Sequence, residues 1–305
     1  MSKLPSRKLV LLSLIGLFVL SQCTMTNQSE YYESINAWQE SRNEEMRDTA
    51  GSWLSLVGLH WLEQGASSFG SDTSNHVQFP DTAPKFAGTF ILNDTLLSIK
   101  VADGVSIKEG DQLVKEMVLR HDMNKPTTYL QMGSINFFAI QRPEGIAIRV
   151  KDSRNPELLA FEDIPNFEID PSWKVQARLD WFETPKPIQI PTVLGSERTQ
   201  ECPAILVFEV NGEAFELYPY QSFYGDPEWT IIFSDLTNGE STYGGGRFLS
   251  MPAPEVGAES ITLDFNKAYN PPCAFSLFAT CPIPPPENSL PIAILSGEKM
   301  YGEHH

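Results

Sequence analysis

The sequence predicts a mainly β protein, an antiparallel sandwich or barrel-like assembly of about a dozen strands with one N-terminal helix. Three observations support this prediction. Short runs with alternating apolar residues recur along the chain, and turn residues separate them about every 8–12 positions. The dipeptide Asn211-Gly212 between two such runs is typical of a two-residue hairpin. Helical periodicity is clear only from Tyr31 to Thr49.

Composition places the chain among globular proteins. It has 305 residues, of which 41% are hydrophobic and 20% charged, enough for one large or two modest domains. The formal net charge is −17, from 22 basic and 39 acidic side chains. Because such a surface repels phosphate backbones, we expect no nucleic-acid partner.

The first 23 residues resemble an export signal. The basic "MSKLPSRK" precedes the apolar run "LVLLSLIGLFVL", which is too short for a spanning helix but suits a secretory segment. The following "LSQC" resembles a bacterial lipobox, although Gln22 replaces the small residue usual before the cysteine. We therefore expect a lipid on Cys23, a tether over residues 24–34 and a domain over 35–305. This arrangement predicts an extracytoplasmic protein attached to a membrane by lipid; a plain signal peptide is the alternative.

The strands of the first half follow the helix. "GSWLSLVGLHWLEQG" fits either period, and its glycines favour a strand over a helix. "GTFILNDTLLSIKV" predicts a hairpin that bends at Asn93-Asp94. Further strands are predicted in "KEMVLRHD", "TTYLQMG" and "INFFAIQRPEGIAIRVKD". The acidic, proline-rich "EDIPNFEIDPSW" then indicates a subdivision near residue 165.

The strands of the second half begin with "WKVQARLDW" and the hairpin "AILVFEVNGEAFELYPY". "WTIIFSDLTNGESTYGGGRFLSM" predicts a second strand pair, turning through Asn238-Gly239. "SITLDF" and "PIAILSG" complete the predicted strands.

Standard chemical motifs are missing from the sequence. It contains no Walker loop, GxGxxG, HExxH, GxSxG or CxxC, so no metal is predicted and any cofactor is unknown. "YGGGRF" has two interpretations: backbone N–H groups that hold an anion beside Arg247, or a bulge at a close backbone crossing. His60, among tryptophans and leucines, is either a hydrogen-bonded core histidine or a general base or metal ligand.

Residues 264–301 form an unusually rigid and polar passage with seven prolines, which we term the crossing segment. A stiff loop that presents polar side chains is suited to hold a small polar ligand. The candidate ligand-binding residues are Arg247, Asp264, Asn266, Tyr269 and Asn270. The alternative is structural, with Asp and Asn side chains bonding their own turns and prolines covering a sheet edge.

The cysteines add a further expectation. If Cys23 is acylated, Cys273 and Cys281 are the natural disulfide pair in an oxidising compartment. Cys202 opens the buried-looking strand "CPAILVFEV" and is expected to be a packed thiol.

Three classes of function fit these features. The first is a binding or accessory protein of the cell envelope, with a small polar ligand beside Arg247. The second is a hydrolase-like enzyme in which Asp264 or Cys273 acts with His60 as base, which requires His60 within hydrogen-bond reach of one of them. The third is a purely structural lipoprotein.

Four motifs, "GSWLSLVGLHWLEQG", "STYGGGRFL", "LDFNKAYNPPCAFSLFATCPIPPPEN" and "SGEK", resemble the DUF1684 family of uncharacterised bacterial and archaeal proteins. The resemblance runs from about Trp38 to Tyr301 and implies no agreed activity. It extends to members without export signals, which leaves the two late cysteines open as reduced thiols or soft-metal ligands. The resemblance marks six signature positions: Arg247, Asp264, Asn266, Asn270, Cys273 and Cys281.

Overall fold

The computed structural model describes residues 8–221 and 227–302, with side chains from residue 28 onward. Helix α1 spans Lys8–Arg47 and begins well before the predicted start at Tyr31. It includes the predicted tether and most of the predicted signal; residues 1–7 and the Cys23 side chain lie outside what is described. The chain divides into two units, residues 1–42 and residues 43–305, and the second contains the strands.

The second unit confirms the mainly β prediction, since strands account for 44% of the chain and helices for 14%. Besides the strands it contains one short helix, α2 (Pro156–Leu159), and several 3-10 turns. The strands of its first half are β1 (Leu56–Trp61), β2 (Gly65–Gly70), β3 (Val77–Gln78), β4 (Gly88–Asn93), β5 (Leu96–Val101), β6 (Ile107–Glu109), β7 (Gln112–Val114), β8 (Glu116–Leu119), β9 (Leu130–Met132), β10 (Ile135–Arg142) and β11 (Gly145–Asp152). Those of its second half are β12 (Lys174–Pro191), β13 (Glu197–Val210), β14 (Glu213–Leu217), β15 (Tyr220–Gln221), β16 (Glu228–Phe233), β17 (Arg247–Pro252) and β18 (Ser260–Asp264).

The first half forms two sheets around one core. One sheet has the order β1-β11-β10-β9-β6-β7 and the other β3-β2-β4-β5-β8, with only β2 and β3 parallel among the described pairs. Phe69 and Phe90 of the second sheet pack with Phe137 of the first in the shared core. Alternation along β11 places Ile148 and Val150 in that core, so Arg149 points to the opposite face.

The second half forms sheets of order β14-β13-β12-β18 and β15-β16-β17 over a separate core. The predicted hairpin between β13 and β14 is confirmed. Its turn residues Asn211 and Gly212 have φ of 54° and 81°, the positive values that a type I′ turn requires. In the described ladders, strands before residue 153 pair only among themselves, as do strands after residue 173.

Three local predictions need comment. The stretch after Gly51 begins as a 3-10 turn, Trp53–Ser55, and becomes strand β1, as its glycines indicated. Strands β16 and β17 do pair, but residues 234–246 make a longer connection than the expected turn at Asn238-Gly239. The predicted strand "PIAILSG" is wrong, because carbonyl groups of that segment accept hydrogen bonds from an arginine instead of a neighbouring strand.

The crossing segment joins the two halves. It contains three 3-10 turns, Phe265–Lys267, Pro272–Ala274 and Pro286–Asn288, and no strand beyond Asp264 in its described part. The Ser276 hydroxyl donates to the Leu56 carbonyl of β1 at 3.0 Å, which ties the segment to the first half. Later in the segment, the Glu298 N–H donates to the Ala268 carbonyl and the Lys299 N–H donates to the Pro165 carbonyl.

Candidate functional site

Arg247, the predicted cationic ligand residue, is fully buried. Its guanidinium donates to Asp235 Oδ2 at 2.6 Å, and both side chains are 0% exposed. It also donates to the Ile294 carbonyl at 2.9 Å and to the Ser296 carbonyl. The guanidinium has no accessible surface and has several partners inside the protein, so Arg247 has a structural role. The prediction that Arg247 contacts a ligand is therefore wrong.

Gly246, directly before Arg247, allows the backbone to pack closely at this place. Gly246 has φ of 86°, and a Cβ atom there would lie 2.4 Å from Pro284 Cγ and 2.7 Å from the Phe233 carbonyl oxygen. This position therefore needs glycine for conformation and for close approach. The geometry matches the backbone-crossing interpretation of "YGGGRF".

Asp264 and Asn266 bond within the protein. Asp264 Oδ1 accepts from the backbone and side-chain N–H groups of Asn266, at 3.2 and 3.1 Å. The Asn266 amide also bonds both backbone groups of Asp170 at 2.9 Å, as a paired strand would. Asn266 is 1% exposed, so its amide fastens the start of the second half to the crossing segment.

Tyr269 and Asn270 also have internal partners. The Tyr269 hydroxyl lies 2.9 Å from Ser250 Oγ, and its backbone pairs with Phe248. Asn270 is 1% exposed; its N–H donates to Glu298 Oε2 at 2.7 Å and its side chain to the Lys299 carbonyl at 2.7 Å. These internal contacts favour the structural interpretation of the polar residues in the crossing segment over the ligand-binding one.

His60 does not meet its hypothetical catalytic partners in any hydrogen bond among the described side chains. Its Nε2 is buried and has no hydrogen-bond partner. Burial lowers the pKa of His60, and a hydrogen bond with the Gln78 backbone opposes this shift. No hydrogen bond of the described residues joins His60 to Asp264 or to Cys273, so the contact that the hydrolase-like hypothesis requires is not seen there.

Cys273 and Cys281 are adjacent but reduced. All three described cysteines are free thiols, which differs from the expected Cys273–Cys281 disulfide. The Cys273 N–H donates to Cys281 Sγ at 3.0 Å. Cys202 is the packed thiol expected, with its S–H donating to the Ala204 carbonyl, and burial raises the pKa of Cys202 to about 11.

A pocket of about 760 Å³ lies between the two halves of the second unit. This volume is typical of sites for small organic ligands. The first half contributes Trp53, Arg142 and Arg149, and the second contributes Arg198 and the crossing-segment residues 279–282. Thus the crossing segment does form one wall, although the asparagines predicted to bind do not line it.

Arg149 is the most buried cation of this pocket, with 6% of its surface exposed. Its guanidinium donates to Thr280 Oγ1 at 3.3 Å and lies 5.7 Å from the centre of the Trp53 ring. Lys151, two residues along the strand, lies 5.6 Å from the same ring. Burial, and then the charge of Arg149, lowers the pKa of Lys151 to about 8, while Asp48 opposes the shift. Lys151 itself does not line the pocket.

Two further arginines, Arg142 and Arg198, line the pocket. Arg142 donates to Asp122 Oδ2 at 2.7 Å, while Asp122 Oδ1 accepts from the Gln141 N–H at 2.9 Å. Arg198 is half-buried and comes from β13. Three arginines and one aspartate line the pocket, so its formal charge is 3 − 1 = +2 in a chain of −17.

Much of the remaining lining is apolar, with Gln141 and Thr280 as polar exceptions. Met123, Phe248, Pro272 and Pro282 contribute surface that can contact hydrocarbon but offers no side-chain hydrogen bond. The lining therefore combines hydrogen-bond donors with apolar surface, a combination that suits an anion with an apolar part.

Sequence reasoning missed these arginines because they are far apart along the chain. One signal was present: in "GIAIRVKD" Arg149 interrupts an apolar run, and residues 146–150 are all buried. A buried arginine needs partners or a ligand, and this requirement singles out the position.

Two features are absent from the described residues. No helix there has the length and apolar character needed to cross a membrane. No group of three or more histidine, cysteine or acidic side chains is placed to hold a metal ion, again within the described part of the chain.

The fold and pocket define a β-rich protein with an arginine-lined site between two sheet assemblies. Residues 159–299 match the family described as "Protein of unknown function (DUF1684)". An uncharacterized protein of Haloarcula marismortui, solved by solution NMR, is 32% identical; the match covers 49% of this chain and 83% of that one, with a TM-score of 0.41. Curated proteins give no significant match. The family match over residues 159–299 supports assignment of this part of the chain to DUF1684.

Proposed function

We propose that this protein binds a small organic anion in the pocket between its two β halves. One observation carries the proposal: Arg142, Arg149 and Arg198 converge on a single pocket of a strongly acidic chain. Like charges are brought together at a cost in free energy, and an anionic ligand between them offsets that cost. A binding protein fits better than the hydrolase-like enzyme because neither His60 nor Asp264 is among the residues that line this pocket.

The ligand has two parts. Its anionic group meets Arg149, which the Trp53 ring and Thr280 hold in place. A planar guanidinium matches the geometry of a carboxylate or phosphate, which accepts two parallel hydrogen bonds. Its apolar part lies against Met123 and Phe248. The ligand class is therefore a carboxylate or phosphate ester with a compact hydrocarbon portion.

Calorimetric titration of the full chain tests this proposal with matched probes. Benzoate and octanoate carry the charge, whereas benzamide and octanamide have the same shape without it. We expect the anions to bind at least about tenfold more tightly than the amides, because a hydrogen bond to a charged group is worth about 1.5–3 kcal/mol and about 1.4 kcal/mol is tenfold in affinity.

The variant Arg149→Met should remove this preference for the anions. Arg178→Met is the matched control, because Arg178 is an exposed arginine paired with Asp180 and does not line the pocket. Arg198→Met provides a second test at a less buried position. Equal affinity for anions and amides, or no binding of any probe, would contradict the proposal.

We also propose that the protein acts outside the cytoplasm, attached by lipid to Cys23. The support is the sequence "LVLLSLIGLFVLSQC", an apolar run that ends in a lipobox-like cysteine. An acidic protein has little electrostatic attraction to anionic lipid, so attachment requires the acyl groups. Wild-type protein should fractionate with membranes and Cys23→Ser should not; a Cys23→Ser protein that remains with membranes argues against acylation.

A further inference from the structure

One of two adjacent thiols lies in the wall of the pocket. Cys281 lines the cavity beside Thr280, and Cys273 is its direct neighbour. The two side chains also share a hydrogen bond, and they are 4% and 8% exposed. A small molecule in the pocket therefore meets Cys281, and a second thiol is the direct neighbour of that cysteine.

Separate elements hold the two cysteines in this arrangement. Cys273 lies in the 3-10 turn that follows Pro271, and its turn is closed by the Ala274 N–H donating to the Pro271 carbonyl. The Cys281 carbonyl accepts from Val193 N–H at 3.0 Å, at the tip of the hairpin between β12 and β13. The contact between the sulfur atoms thus depends on two parts of the fold and not on the short loop alone.

The environment differentiates the two thiols. The hydrogen bond from the Cys281 thiol, assisted by the charge of Arg149, lowers the pKa of Cys273. Burial raises the pKa of Cys281. Cys273 is also the more exposed of the two, at 8% against 4%, so both accessibility and environment favour Cys273 as the attacking thiol and Cys281 as the resolving one.

We infer that Cys273 and Cys281 form a redox-active dithiol that exchanges with small disulfides entering the pocket. The Cys273 thiolate attacks one sulfur of the disulfide R–S–S–R, forming a mixed disulfide and releasing RS⁻. Cys281 then transfers its proton to RS⁻ and attacks Cys273 Sγ, which releases the second RS⁻ to be protonated by solvent. Overall, the dithiol is oxidised to an intramolecular disulfide and R–S–S–R is reduced to two RSH, with protons and electrons balanced.

Exchange with oxidised glutathione tests this inference in the full chain carrying Cys23→Ser, which leaves three thiols: Cys202, Cys273 and Cys281. Reduced protein is incubated with the probe near neutral pH, quenched, denatured and alkylated, and its intact mass is measured. We expect two thiols to disappear with no glutathione retained. Disappearance of none, or retention of glutathione on Cys202, would overturn the inference.

Single variants identify the two roles. Cys281→Ser should accumulate one glutathione on Cys273, since the resolving thiol is missing. Cys273→Ser should react at least about tenfold more slowly, because the favoured thiolate is missing, and Cys202→Ser should behave as the parent chain. A Cys281→Ser protein that resists glutathionylation while folded would contradict the assigned order. The readout is thiol chemistry alone, so its result is independent of whether the pocket binds organic anions.

Discussion

The buried ion pair between Arg247 and Asp235 supports the sharpest prediction. Arg247→Met leaves the Asp235 carboxylate 0% exposed without a counter-charge and leaves the Ile294 and Ser296 carbonyls without this donor. Removing one partner of a buried pair costs about 3–5 kcal/mol, against a total stability of about 5–15 kcal/mol for a typical domain. We therefore expect Arg247→Met to lose about 3–5 kcal/mol of unfolding free energy.

A double variant separates the charge effect from lost packing. Combining Arg247→Met with Asp235→Asn removes the uncompensated charge but keeps a side-chain oxygen at position 235. That oxygen can still accept from the Thr237 N–H, which lies 2.7 Å from Asp235 Oδ1 in the parent chain. The double variant should lose less unfolding free energy than the two single variants lose together, by up to about 3 kcal/mol. Urea denaturation followed by tryptophan fluorescence measures each value.

Arg178→Met is the control for this cycle. The Arg178–Asp180 pair is 64% and 41% exposed, so its loss should change stability by at most about 1 kcal/mol. Our assignment of Arg247 to structure fails if Arg247→Met costs less than the control. It also fails if that variant keeps full stability but loses affinity for benzoate.

Three further predictions concern stability and use the same denaturation assay. Gly246→Ala should lose about 1–3 kcal/mol more than Gly257→Ala; both lie at similar positive φ, 86° and 88°, but only Gly246 faces packed atoms, so equal losses would argue against a packing role. Asn288→Ala should lose at least about 1–3 kcal/mol, because its fully buried amide bonds Tyr218 N–H and carbonyl and the Ile232 carbonyl; a smaller loss would contradict this account. The folded pKa of Lys151, about 8, lies below its ordinary 10.5, so unfolded chains bind the proton first as pH falls. Its contribution to stability is present above pH 10.5 and lost as pH falls to 8, and Lys151→Met should lack this slope; parallel pH profiles for the two proteins would refute the shift.

Much of the β architecture was predictable because it depends on local signals. Asn211-Gly212 specifies its hairpin through φ values that few other residue pairs adopt. Alternation along "INFFAIQRPEGIAIRVKD" predicts two antiparallel strands, and β10 and β11 pair in that register. The segment 291–297 misled the same reasoning. It is apolar enough for a strand, but its carbonyls bond Arg247, a tertiary contact that no local pattern reveals.

The candidate site was harder to predict for a physical reason. Arg142, Arg149 and Arg198 look like ordinary polar positions on alternating strands, and only the folding of two β halves against each other brings them to one pocket. The crossing segment was correctly singled out as unusual, yet its asparagines fasten the backbone. Asn266, for example, bonds both backbone groups of Asp170, a residue 96 positions away. The many polar residues of this segment therefore marked a place where distant parts of the backbone are bonded to each other, and not a ligand site.

The residues that line the pocket come from two stretches of the chain, one inside the family match and one before it. Residues 279–282 and Arg198 lie inside the segment 159–299 that defines the family match, whereas Arg142 and Arg149 lie before it. The proposed ligand site is therefore encoded partly inside and partly before the stretch that matches the family. Substitutions among the early strands would change the proposed site without altering the stretch that matches the family, so that match does not specify a shared ligand.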